Sequence, residues 1–286
     1  MALARRLLVV LAMAAIAAVG LTVPASAGGG HEGSGRPVVF PPNSRPYGAS
    51  YAEWNARWWQ WLYGTDRLSS PVFADNPGTP SEPEAVDCSA GQRGSVWFLG
   101  GTFLPTSTTA PDVFRSDVYR TCRIPPGVAL FFPVLNTEFD NLQCSLVPAD
   151  NSAADLIRAA NYTMDRVIPG SMAVVVDGVG IRGLRDARTD YRSMSPWFSY
   201  RLPANNVGHL AQFCGVDFPE GTSPPDVQGH PGAIADGIYL MLAPLPRGTH
   251  TLHVQGRFVV KQSPHLPPLI FPVDFTQNIN YTITVG

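Results

Sequence analysis

Between Ser50 and Gly64 the chain reads SYAEWNARWWQWLYG, apolar at nearly every position around a helical turn. Tyr51, Trp54, Trp58, Trp61 and Leu62 fall on one face, and Ala52, Ala56, Trp59 and Tyr63 cover most of another. Only Glu53, Arg57 and Gln60 remain as a polar stripe, spaced i, i+4 and i+7. Ser50 and Glu53 form an S-x-x-E capping box that starts the helix, and Gly64 is placed to end it. A helix apolar nearly all round is normally buried, and exposing its indoles would forfeit several kcal/mol at roughly 25 cal/mol per Å². The pattern therefore predicts a helix packed on the rest of the fold. The alternative gives one or two rings, Trp59 among them, to a sugar-stacking surface.

Elsewhere the periodicity is that of strands. Short β-branched and aromatic runs occur at 95–103, 117–124, 128–135, 172–177, 179–184 and 196–202, and again near 236–244, 249–260, 269–275 and 278–285. One more helix is predicted at 152–166, with Leu156, Ile157, Ala160 and Met164 on one face. Glycine and proline, 27 and 28 residues, make up about a fifth of the chain, against roughly 12% in average proteins. The expected fold is all-β, a β-sandwich or jelly roll with two short helices, the Trp-rich one packed on the sheets.

The N-terminus predicts the compartment. Arg5 and Arg6 precede an apolar stretch to about Leu21, and Ala25-Ser26-Ala27 has the small-x-small pattern of a signal-peptide cleavage site. The expected organisation is a signal peptide over 1–27, a flexible leader over 28–47 and a single domain over 48–286, in a protein secreted to the extracellular space. No cysteine follows the cleavage point, so no lipid anchor is expected there. Later apolar runs such as VALFFPVL are too short to span a bilayer, so no membrane insertion is expected. Loss of Arg5 and Arg6 takes the net charge from −2 to −4. A mildly acidic chain without a basic run lacks the electrostatic footprint of a nucleic-acid binder.

Four cysteines in an exported chain predict two disulfides and allow three pairings. Cys88 and Cys122 flank SVWFLGGTF and its expected hairpin return, which favours Cys88–Cys122 with Cys144–Cys214. Other motifs dissolve on inspection. Gly178, Gly180 and Gly183 spell G-x-G-x-x-G, yet no helix follows, and Asp177-Gly178 is a hairpin signal instead. His250 and His253 lie in a strand, where alternation sends them to opposite faces.

The strongest chemical candidate is NTEFDN (136–141), directly after ALFFPVL. In an extended chain Asn136, Glu138 and Asp140 point to one side, a spacing that suits calcium or places a catalytic carboxylate at Glu138 or Asp140. Asp236 or Glu53 is the candidate partner carboxylate. Glu53 and Arg57 are expected to meet this site, with Arg57 paired to a carboxylate at the mouth of one pocket. The loop 203–235, carrying Asn205, Asn206, His209 and His230, is long enough to lid it.

Several stretches carry a resemblance: YAEWNARWWQW (51–61), GQRGSVWFLGGTF (91–103), TCRIPPGVALFFPVLNTE (121–138), VDGV (176–179), SPWFSYRLPANNV (195–207) and DGIYLMLAPLPRGTHTLHVQG (236–256). Together they resemble a family of secreted bacterial and archaeal proteins with no assigned activity. The resemblance implies a shared fold and supplies no mechanism. It implies counterparts for Cys88 and Cys122, which supports their pairing, whereas Cys144, Cys214 and Trp197 depart from the family pattern. Two function classes follow. One is an extracellular binding protein for a glycan or cell-envelope polymer, using Glu53, Arg57, Asn136, Trp59 and Asn206; the other is a glycoside-type hydrolase using Glu138 with a second carboxylate. A structural or matrix role is the third.

Overall fold

Two β-sheets and two α-helices make up the computed structural model, which describes residues 36–72, 78–101, 113–142, 150–206, 218–261 and 272–286. In chain order the elements are α1 (Tyr51–Gly64), β1 (Glu84–Ala85), β2 (Val96–Phe98), β3 (Val113–Ile124), β4 (Ala129–Asp140), α2 (Ala153–Met164), β5 (Ala173–Val176), β6 (Val179–Gly180), β7 (Arg192–Met194), β8 (Ala233–Leu242), β9 (Gly248–Val260) and β10 (Val273–Val285). One sheet has the order β1-β3-β10-β9-β5-β6 and the other β2-β4-β8-β7. The arrangement is sandwich-like. Leu130, Phe132, Ile238 and Leu240 of the smaller sheet share a core with Val118, Leu252, Val254 and Ile283 of the larger.

Several elements differ from the periodicity reading. The expected strands at 269–275 and 278–285 are one, β10, thirteen residues long. It lies antiparallel to β9 and parallel to β3. The run 196–202 is irregular apart from a bridge between Phe198 and Ala233, and the strand there is β7, a few residues earlier. Alternation marks a residue's face but not its partner strand, so it does not reveal these pairings.

The Cys88–Cys122 disulfide forms, with Cα atoms 5.7 Å apart. Its cause is not the expected hairpin, because β2 and β3 belong to different sheets. Instead β1 runs parallel to β3, Glu84 opposite Arg120 and Ala85 opposite Thr121, which delivers Cys88 to Cys122. Cys144 and Cys214 lie outside the described residues, as do the expected signal peptide and residues 28–35 of the leader. Asp177 and Gly178 both have positive φ (48° and 78°) and turn β5 into β6, as a two-residue hairpin requires.

Helix α1 covers the outer face of the smaller sheet. Its capping box is complete, with the Ser50 side chain on the Glu53 N–H and the Glu53 carboxylate on the Ser50 N–H. Trp54, Trp58, Trp59 and Trp61 are 7, 1, 3 and 6% exposed, in one cluster with Phe98, Phe131, Tyr239 and Met241. Burial of indole is tolerable when its N–H finds an acceptor. Trp54 Nε1 donates to the Pro46 carbonyl at 3.0 Å, Trp58 to Leu99 at 2.8 Å and Trp61 to Ala90 at 2.9 Å. The helix is a buried plug, and Trp59 is not an exposed stacking ring. Helix α2 starts on its own capping box, Ser152 with Asp155, and buries Leu156, Ala159 and Met164 in the inter-sheet core. No helix of the described residues is long and apolar enough to cross a membrane.

Candidate functional site

The site is made by an irregularity in β4. Up to Phe131 the odd-numbered side chains face α1 and the even-numbered ones face the inter-sheet core. Pro133 has no N–H to give to the ladder, and the register with β8 shifts between Pro133 and Leu135. The extra residue puts both Val134 and Leu135 into the inter-sheet core and reverses the alternation beyond them. Asn136, Glu138 and Asp140 therefore turn toward α1; without the bulge they would face the core. Opposite them on β8 stand Gly237, Ala235 and Ala233, so the partner strand leaves room above the sheet. Gly237 is required by contact: a Cβ there would lie 2.6 Å from the Tyr239 ring and 2.7 Å from Asn136 Cβ.

Two tyrosines close over the acids. Tyr63, in the last turn of α1, donates its hydroxyl to Glu138 Oε2 at 2.7 Å. Tyr200, on the irregular segment after β7, donates to Asp140 Oδ2, and the Leu142 N–H donates to Asp140 Oδ1 at 2.7 Å. The two phenol rings pack with centroids 4.2 Å apart, and Trp59 supports Tyr63 from one turn earlier at 5.4 Å. Glu138 and Asp140 are half-buried as residues, but Glu138 Oε1 is fully enclosed and meets no N–H or O–H donor. The Asp140 carboxyl on the same face of β4 lies near enough for its charge to act on Glu138. Two neighbouring carboxyls taken out of water resist ionising together, so one of them keeps its proton.

Electrostatics assigns that proton. Burial, then the adjacent Asp140 charge, pushes the Glu138 carboxyl well above the usual range. Burial also raises Asp140, but its bonds from Tyr200 and Leu142 favour the anion. Glu138 is thus the acid of the pair and Asp140 the carboxylate. Burial and the same two acids push the Tyr63 and Tyr200 hydroxyls well above the usual phenol range, so both remain donors.

A neutral relay adjoins the pair. Asn136 Nδ2 donates to Tyr239 Oη at 3.1 Å, Tyr239 donates to Asn55 Oδ1 at 2.8 Å, and Asn55 Nδ2 donates to the Ser193 carbonyl at 2.8 Å. This fixes Asn136. Its amide nitrogen is committed to Tyr239, and one oxygen of each acid accepts a tyrosine hydroxyl, whereas calcium takes about six to eight oxygen ligands. Among the described residues no group of three His, Cys, Asp or Glu side chains could hold a metal ion.

The remaining sequence-predicted residues lie elsewhere. Asp236 is opposite Thr137 on the other face of the sheet, 1% exposed, and its Oδ2 accepts from Arg192 Nη2 at 2.6 Å. It is a structural ion-pair partner, not the second carboxylate of the site. Glu53 is occupied by its cap and by Arg45 at 3.0 Å, and the Ser50 hydrogen bonds hold its carboxyl below the usual range. Arg57 is exposed and lies over the Trp54 ring at 4.5 Å, so the expected pairing with a site carboxylate does not form. Asn206 is buried, donating to the Pro203 and Phe218 carbonyls at 2.9 and 2.8 Å, and so pins the ends of its loop. His209 lies outside the described residues, and His230 stacks on Trp197 at 5.0 Å.

Sequence reasoning missed Asn55, Tyr63, Tyr200 and Tyr239. Tyr63 and Asn55 were readable only as part of an apolar helix, and Tyr200 sits in a stretch with no regular period. The chain matches no protein-family model and no curated protein, so the chemistry of the site is read from its own geometry.

Proposed function

We propose that the chain is an exported hydrolase of an extracellular glycan or cell-envelope polymer, with Glu138 as general acid and Asp140 as general base. The observation that carries this reading is the placing of two half-buried carboxyls on one face of β4, each oriented by a tyrosine hydroxyl. Asp140 takes a proton from a water as its oxygen attacks the polymer bond. Glu138 gives its proton to the leaving oxygen or nitrogen as that bond breaks. The proton on Asp140 then returns to Glu138, restoring the starting state with one water consumed. One proton held between two acids sets this pair apart from glycosidase pairs, which keep a separate acid and base on either side of the bond. The pair resembles the shared-proton dyads that activate a water between them.

The test is product analysis in heavy-oxygen water with a panel of envelope polymers and secreted polysaccharides. The expected result is one labelled oxygen per cleaved bond with the native chain, and a fall of at least about 100-fold with Glu138→Gln or Asp140→Asn. Cleavage that survives both substitutions overturns the proposal.

A second reading, pure binding, is favoured by the outer face of the larger sheet. There Gln255, Asn278 and Asp117 form one cross-strand row and His253, Asn280 and Tyr119 the next. His253 Nε2 lies 2.8 Å from Asn278 Oδ1, and Asn278 donates to Asp117 at 2.7 Å. Polymer retention abolished by Asn278→Ala but not by Glu138→Gln supports this reading over hydrolysis.

A further inference from the structure

Arg120 stands on the inward face of β3 and is 1% exposed, one of the largest fully buried side chains in the fold. Its Nη1 is well served. It donates to the Gly100 and Gly101 carbonyls at 3.2 and 3.1 Å and to Tyr281 Oη at 3.4 Å. Tyr281 in turn donates to the Gly100 carbonyl at 2.9 Å. The two glycines permit this approach. A Cβ on Gly101 would lie 2.7 Å from Ile279 Cδ1, and one on Gly100 would lie 3.0 Å from both Trp58 Cζ2 and Val72 Cγ2. The FLGG stretch (98–101) therefore turns two backbone carbonyls onto one nitrogen of a buried cation.

The opposite edge of the guanidinium is unserved. Nε and Nη2 are enclosed and meet no acceptor, and no ion pair joins Arg120 to an acid among the described residues. Gln277, whose Nε2 donates to the Pro133 and Val134 carbonyls at 3.3 and 3.0 Å, is not among the acceptors of that edge. Taking a guanidinium out of water is costly unless a counter-charge or a full set of acceptors replaces its hydration. Neutral carbonyls on one nitrogen meet only part of that need. The Nε–Nη2 edge is the fork that a carboxylate engages with two parallel hydrogen bonds, and a halide can bridge the same two donors.

We infer that Arg120 holds a small monovalent anion, a halide or a short carboxylate, through Nε and Nη2 inside the sandwich. The bound anion neutralises the Arg120 charge beneath Trp58 and ties β3 to the Gly100–Gly101 segment and β10. It is independent of the acid pair, which faces α1 on the other side of the smaller sheet, so failure of either proposal leaves the other standing.

The test is thermal unfolding of the full chain at fixed pH and ionic strength, with sodium gluconate replaced stepwise by chloride or by acetate. A saturating rise in Tm is expected, reaching about 5 °C or more when the small anion exceeds its Kd roughly 100-fold. Arg120→Met should abolish the response. Because that variant loses a buried side chain, the native chain supplies a second readout in the line width of chloride NMR. Saturable broadening that acetate reverses supports the site and shows that it accepts carboxylates. Broadening that acetate leaves in place supports it as a halide site. An anion-independent Tm without saturable broadening overturns the inference, and so does an Arg120→Met chain that keeps the wild-type anion response.

Discussion

Trp58 is where the packing account is most exposed to refutation. Its indole is 1% exposed, lies edge-on to Trp59 with centroids 5.0 Å apart, and donates to the Leu99 carbonyl at 2.8 Å. Trp58→Ala removes roughly 200 Å² of buried area, about 5 kcal/mol at 25 cal/mol per Å². Partial collapse of the site lowers the apolar share to about 3–5 kcal/mol, while the orphaned Leu99 carbonyl adds about 1 kcal/mol or more. The sum, near 5 kcal/mol, approaches the whole stability of a marginal domain, which is about 5–15 kcal/mol. Trp58→Phe is the cleaner test. It keeps most of the apolar filling, loses the hydrogen bond, and should cost about 1.5–3 kcal/mol. Urea unfolding followed by far-ultraviolet circular dichroism reads the change as a shift in midpoint at constant slope. A cost below about 0.5 kcal/mol for Trp58→Phe would refute the claim that α1 is a hydrogen-bonded plug, since that is the range of ordinary surface substitutions.

Other consequences are open to direct measurement. Both acids of the pair have carboxyls raised above their unfolded values, so their stabilising contribution is complete below the unfolded carboxyl range and is lost as pH rises through the folded values. Thermal stability should therefore fall on going from about pH 5 toward alkaline pH, and Glu138→Gln, which cannot ionise, should flatten that slope; an unchanged slope counts against the shared proton. Tyr63→Phe removes a bond that favours the Glu138 anion, so the Glu138 titration should move further upward, at a stability cost of about 0.5–1.5 kcal/mol. Replacing Cys88 and Cys122 together by serine opens a link across 34 positions and should cost about 3–4 kcal/mol in denaturant unfolding. Arg57→Ala should cost only about 0.5–1 kcal/mol, because the side chain is exposed over Trp54 and pairs with no site carboxylate.

The helices were the most legible part of the chain, because each carries a 3.6-residue apolar period, and the first starts where the Ser50–Glu53 capping box places it. The side shared by Asn136, Glu138 and Asp140 also followed from strand alternation alone. Which face of the sheet that side is did not, since it depends on the bulge at Pro133–Leu135. The same limit hid the roles of Asp236 and Arg57. Asp236 is one residue out of phase with the site across the β4–β8 register, and no local pattern reveals a register between strands about a hundred residues apart. Tyr63 and Tyr200 come from a helix end and an irregular segment, and only the tertiary fold stacks them over the acids.

If Glu138 and Asp140 share one proton, Glu138 holds it at neutral pH. Carboxyl-carbon NMR of the glutamate-labelled chain, with Glu138→Gln used to assign the resonance, tests it most directly. The account predicts that Glu138 titrates well above the ordinary glutamate value of about 4.3, and that Asp140→Asn shifts that titration downward by removing the neighbouring negative charge. A Glu138 resonance that titrates at the ordinary value, unmoved by Asp140→Asn, would contradict it.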